Sequence, residues 1–204
     1  VADNEGWTAL MIGADNGHAS VVALLLADER VNVNAAELRG HTAIMLAAHK
    51  GHVPAMKVLL ADERVERNLC DSAGNTALVS AAGKGQAPVM KLLLADKFVK
   101  AGIAAERALP NIIDDQAFMA LTLAAQEGHA PAVKVLLAER VDPNMSNEDG
   151  VTPIMFAAQG GHAPVVQVLL ADERTNPNRA DDIGGATAET VAAFCGHDAV
   201  LELL

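Results

Sequence analysis

Histidine is the residue type in this sequence most open to doing chemistry. There are seven, alongside two cysteines, one tryptophan and no tyrosine. An imidazole can serve as base, metal ligand or hydrogen-bond donor, and its neighbours decide which. Five of the seven follow a glycine directly, at His18, His52, His129, His162 and His197. A residue that returns in one short phrase belongs to a repeated structural role, so these five read as hydrogen-bonding groups rather than ligands or bases. His41 and His49 stand apart from that phrase. With no carboxylate or cysteine constellation around them, they make only a weak metal case.

Paired carboxylates are the next candidates, since two acids of different pKa can divide proton transfer between them. Asp28-Glu29, Asp62-Glu63 and Asp172-Glu173 all recur inside the phrase Leu-Leu-Ala-Asp-Glu-Arg, which marks them as loop residues. Cys70 and Cys195 lie far apart with no CxxC spacing, and read as reduced, buried thiols. That fits a reducing compartment such as the cytoplasm, with a secreted effector also compatible. The chain carries no GxSxG, GxxxxGK(S/T), HExxH or acid-followed GxGxxG pattern. The expectation is a protein that is not an enzyme, with no cofactor and no metal.

Composition points the same way. The formal charge is −11, which argues against nucleic acid and against an anionic membrane surface, because both call for clustered Lys and Arg. Apolar runs such as Val21 to Ala27 fall far short of the roughly 18 residues of a membrane helix. The opening Val-Ala-Asp-Asn-Glu-Gly-Trp has neither a basic nor an apolar leader segment, and no signal peptide is read there. Apolar residues make up 51% of the chain but aromatics only 2%, so the core must come from Ala, Val, Leu, Ile and Met in closely packed helices.

The elements that hold these residues are set by repetition. The phrase Gly-His-Ala/Val-Pro stands at 51–54, 128–131 and 161–164, with variants at Gly17, Gly85 and Gly196; the glycines are spaced 34, 34, 43, 33 and 35 apart. Thr8, Thr42, Thr76, Thr152 and Thr187 precede apolar runs and suit helix N-caps. The glycine of each phrase suits a left-handed C′ position, and the proline after it suits the first turn of a second helix. Gly6, Gly40, Gly74 and Gly150 suit tight turns. Six helix–turn–helix units, at about 1–34, 35–68, 69–111, 112–144, 145–178 and 179–204, form one domain over 1–204.

This layout, Thr-x-Leu-x-x-Ala-Ala-x-x-Gly-His-x-x-Val-x-x-Leu-Leu leading to Asn34, Asn68, Asn144 and Asn178, resembles the ankyrin repeat. The first and last copies are incomplete or cap-like. The resemblance implies an all-α repeat solenoid with projecting β-hairpin-like turns. It also implies a protein–protein interaction scaffold whose turn tips and first helices line a concave groove. The family's Thr-Pro-Leu-His reads here as Thr8-Ala-Leu-Met11, Thr42-Ala-Ile-Met45, Thr76-Ala-Leu-Val79 and Thr152-Pro-Ile-Met155. Less polar bonding and more thioether packing are expected in consequence.

Stacking requires the residues that repeat; those that differ at one register are available to a partner. The candidates for partner contact are Trp7, Leu38, Arg39, His41, Lys50, Asn75, Lys84, Phe118, Glu127, Glu148, Asp149 and Val151. Among them Trp7 and Phe118 are aromatic anchors of the kind interfaces favour. Charge is lopsided: residues 1–107 hold 11 basic and 12 acidic side chains, and residues 108–204 hold 4 and 14. A partner with a basic patch facing repeats four to six is therefore expected. The long third spacing places an insertion within 97–114, with helical composition at 103–109 ended by Pro110. The apolar first unit suggests either an array that continues upstream or an alternative function: a structural spacer that associates end to end, Leu10 and Val22 being the residues through which it would do so.

Overall fold

A computed structural model describes residues 2–96 and 113–204 of the chain. The insertion expected within 97–114 lies outside the described residues up to 112. The chain divides into two compact units, Val1–Pro110 and Asn111–Leu204. In the first, α1 (Ala9–Asp15), α3 (Ala43–Lys50) and α5 (Ala77–Gly83) stack side by side. Behind them lie α2 (Ala19–Leu26), α4 (Val53–Ala61) and α6 (Ala87–Ala95). In the second, α7 (Ile113–Gln126), α9 (Pro153–Gln159) and α11 (Ala188–Cys195) form the front row. Their back row is α8 (Ala130–Ala138), α10 (Ala163–Leu170) and α12 (Asp198–Leu201). No strand occurs among the described residues; Ala2–Thr8 and Ala36–Thr42 form isolated bridges at the base of hairpin-like fingers. No described helix is long and apolar enough to cross a membrane.

Each helix pair follows from its local sequence. Thr8, Thr42, Thr76, Thr152 and Thr187 are the N-caps, in extended backbone. The Thr8 and Thr76 hydroxyls accept from the N–H groups of Met11 and Val79 at 3.3 and 3.4 Å. Replacing the family's histidine by methionine does not remove every polar contact. The Met11 and Met155 sulfurs sit 3.4 Å from the Thr8 and Thr152 amides and accept from them. The buried hydroxyls of Thr42 and Thr152 have no hydrogen-bond partner. Alanines at the same register, such as Ala48, Ala82 and Ala158, are fully buried and let the front helices approach closely. Leu59, Leu93, Leu136 and Leu169 are fully buried on the back helices and form the apolar spine of each unit.

Polar bonds tie repeats two, five and six to the repeats before them. His52 Nε2 lies 2.8 Å from the Asp15 carbonyl oxygen, His162 Nε2 2.7 Å from that of Gln126, and His197 Nε2 3.0 Å from that of Gln159. A carbonyl can only accept, so Nε2 carries the proton in all three. The glycine two residues after that carbonyl is constrained twice over. Gly17 has φ +73°, and a Cβ there would stand 2.7 Å from His52 Nδ1.

The Asp-Glu-Arg phrase is a clasp. Asp62 grips the Arg64 guanidinium at 2.6 Å, and Arg64 Nη2 donates at 2.6 Å to the Leu26 carbonyl at the end of α2. Asp172 and Arg174 do the same toward Leu137. Asn34 and Asn144 bridge onward to the backbones of Arg64 and Glu66, and of Arg174 and Asn176.

Two consequences are measurable. Gly17→Ala should lower unfolding stability by about 1–2 kcal/mol for the left-handed backbone alone, with a further loss from displacing His52, read by denaturant titration. The Arg64 hydrogen bond holds the Asp62 carboxyl below the usual carboxylate range, and Arg174 does the same for Asp172, against the opposing effect of burial. Groups with lowered pKa contribute stability above the unfolded value, near about pH 4. That contribution disappears as pH falls further. Unfolding midpoints should therefore drop more steeply below about pH 4 in the native chain than in Asp62→Asn.

Candidate functional site

Five fingers begin at Asp3, Glu37, Asp71, Asn147 and Asp181, five residues before the cap threonine in the first four and six in the last. The side-chain oxygen of each accepts from the amides that close its own turn. Asp71 Oδ1 takes Ala73 and Asn75 at 2.8 and 2.9 Å, and Asn147 Oδ1 takes Asp149 and Val151 at 3.1 and 2.9 Å. Fingers then join edge to edge within each unit through Leu38 N to Glu5 O, Ser72 N to Arg39 O, and Asp182 N to Asp149 O. This rigid row fixes the residue just before each cap threonine at the foot of its front helix.

In the first unit that row and the front helices enclose a hollow of about 430 Å³. It brings together four sequence candidates, Trp7, Arg39, His41 and Lys50. His41 is anchored from both sides: Nδ1 lies 2.8 Å from Glu37 Oε1 and Nε2 3.5 Å from Asp71 Oδ2. Burial pushes the Glu37 and Asp71 carboxyls up, but amide donors and the His41 ring outweigh it, and both are held below the usual range. His49 also lines the hollow. Its pKa is lowered, first by burial and then by the charges of Lys84 and Lys50, with Asp15 alone pulling the other way. Lys50 Nζ stands 4.0 Å from Asp15 Oδ1. Leu38, 78% exposed at a fingertip, does not line the hollow, nor do Asn75, bonded to Asp71, and Lys84, exposed just past α5. Among the described residues no group of three His, Cys, Asp or Glu could hold a metal ion.

In the second unit a hollow of about 490 Å³ opens at the same register in the last two repeats. Val151, Met155, Ala186, Val191 and Phe194 make it largely apolar. Of the candidates only Val151 lines it; Glu127 is exposed at the end of α7, and Glu148 and Asp149 are exposed at a fingertip. Phe118 is not at the foot of a regular finger, in keeping with the missing turn glycine and cap threonine of its repeat. It lies inside α7, which runs for 14 residues, because the turn glycine and cap threonine are replaced by Ala117 and Met119.

The reading of the cysteines as buried also fails. Both are exposed, Cys70 in the loop leading into a finger and Cys195 at the end of α11, and neither forms a disulfide. Sequence reasoning missed Glu37 and above all Phe194, which is 94% exposed. The signal for Phe194 was present: it occupies the variable front-helix position that His49 fills in repeat two.

Comparison with known proteins agrees with this architecture. A family model described as ankyrin repeats (3 copies) matches residues 29–104 and 121–204, and a single ankyrin repeat model matches 5–37. No curated protein is significantly similar in sequence. Among solved structures, the ankyrin repeat protein EF0377 superposes with a TM-score of 0.76 at 22% identity, over 99% of this chain and 98% of that one. A chain from the complex of the predatory endopeptidase Bd0816 of Bdellovibrio bacteriovorus with the immunity protein Bd3460 gives 0.74 at 22% identity, covering 100% and 97%. An ankyrin repeat domain from Acinetobacter baumannii AYE gives 0.74 at 23%, covering 95% and 94%. At these identities the structures speak to fold alone. With family models spanning more than half of its length and repeats that bond through the Gly-His phrase, the chain belongs to the ankyrin repeat family.

Proposed function

We propose that this chain is a non-catalytic scaffold that binds a partner protein through the face formed by its fingertips and front helices. The observation that carries the reading is a division of labour. Repeated residues, such as His52, Arg64 and Asn34, are consumed in bonds between repeats, whereas the hollows are lined by residues that differ from repeat to repeat. One similar structure is a chain from a complex between two proteins, an endopeptidase and an immunity protein, which supports a protein as the class of ligand. The contact set is Trp7, Leu38, Arg39, His41, Lys50, Asn75 and Lys84 in the first unit. In the second it is Phe118, Glu127, Glu148, Asp149 and Val151, whose acidic members suit a basic patch on the partner.

The test is affinity capture with the full chain, followed by titration of the captured partner. Trp7→Ala should weaken binding by roughly 2 kcal/mol if Trp7 is an anchor. Raising salt to about 0.5 M should slow association, because the Debye length shrinks to a few ångströms. A partner indifferent to both would refute this use of the face.

A second reading, end-to-end self-association, is favoured by one observation. Val21 is 43% exposed, while Ala55, Val89, Ala132, Val165 and Val200 at the same register are all fully buried. Leu24 beside it is 75% exposed. The residues suggested by the sequence, Leu10 and Val22, are themselves buried within the repeat, so Val21 and Leu24 are the ones to alter. Sedimentation should show concentration-dependent oligomers that Val21→Glu abolishes; a monomer at every concentration would end this reading.

A further inference from the structure

The second unit holds an exposed aromatic beside an apolar hollow and, on the same face, acidic fingertips with no lysine or arginine on any described front helix or finger of that unit. Phe194 is 94% exposed. Its place on the front helix matches that of His49, Gln126 and Gln159, all exposed or only partly covered although another repeat follows each of them. Three of the five other residues at this register, each followed by another repeat, are exposed as well. Behind Phe194 the hollow is walled by Val191, Ala186, Val151 and Met155, with Cys195 at its edge.

The charge pattern is one-sided. Residues 113–204 contain four cationic side chains, Lys134, Arg140, Arg174 and Arg179. Lys134 is on back helix α8, and Arg140 and Arg174 follow back helices α8 and α10. Arg174 is clasped by Asp172, and Arg179 donates to the Asn144 carbonyl and Ser146 hydroxyl. None belongs to a front helix or finger. The adjoining fingertips of repeats five and six carry exposed Glu148, Asp149 and Asp182. Asp181, in the hollow wall, is kept ionised by the amides of Gly184 and Ala186 at 2.9 and 3.1 Å.

We propose that this hollow receives a single large apolar side chain, aromatic or long aliphatic, from a partner peptide segment whose flanking residues are lysine or arginine. The apolar walls and Phe194 desolvate the anchor, and the acidic fingertips select the basic flanks. The proposal rests on the protein-binding reading above and specifies the chemistry of the segment that reading leaves open.

The test uses the full chain against two peptide arrays, each varying its central residue, one flanked by lysine and arginine and one by aspartate and glutamate. Binding should be confined to the basic array and to Trp, Phe, Leu, Ile or Met at the centre. Phe194→Ala should weaken the best peptide about tenfold or more, with circular dichroism unchanged. Cys195 reports occupancy directly: the bound peptide should slow its alkylation while Cys70, in the other unit, reacts at the same rate. Binding without preference for basic flanks or an apolar centre, or full affinity in Phe194→Ala, overturns the proposal. So does Cys195 protection that grows with protein concentration in the absence of peptide, which would mean that a second copy fills the hollow. A captured partner weakened by Trp7→Ala but indifferent to Phe194→Ala would sink this inference and leave the protein-binding function standing; a chain that binds no protein sinks both.

Discussion

The bond from a histidine Nε2 to the carbonyl near the end of the preceding front helix is the constraint on which this structure turns. A short helix pair cannot bury both of its apolar faces by itself, so neighbours must stack. Stacking on small side chains such as alanine is non-directional; the histidine makes it directional by fixing the spacing and angle of successive pairs. The carbonyl that accepts the bond is one that a helix C-terminus would otherwise leave without a partner. The left-handed glycine beside it both ends the helix and leaves room for the ring. Gly17 and His52 are thus two halves of one joint.

A second joint lies at the other end of the pair, where Asp62 aims Arg64 at the end of α2 and Asp172 aims Arg174 at the end of α8. Both joints draw on residues whose chemistry, met in isolation, could suggest catalysis: imidazoles, paired acids, guanidinium groups. Their reactive atoms are occupied by backbone carbonyls and by one another. What the joints leave over is a face whose side chains differ between repeats, polar around His41 and His49 in the first unit and apolar around Phe194 in the second. In the first unit the fixed histidine between Glu37 and Asp71 acts as a wall, while the positive charge beside it comes from Arg39 and Lys50.

Much of this was legible in the residue order alone. Repeated phrases located the caps and the left-handed glycines, which answer local backbone requirements, and of the five Gly-His histidines His52, His162 and His197 bond as that reading expected. The same logic gave the fold class and identified Trp7, Arg39, His41 and Lys50, which the structure gathers around one hollow. Only the tertiary structure decided the rest. It extended α7 through the position of Phe118, since an absent turn glycine tells where a finger fails but not what replaces it. It exposed Cys70 and Cys195, since burial depends on which face a neighbour covers. It also occupied both ring nitrogens of His41 with carboxylates, and stood Phe194 in the open beside an apolar hollow. His41 and Asp71 come from neighbouring repeats, as do Val151 and Phe194, and a local pattern cannot encode which side chains will meet between repeats.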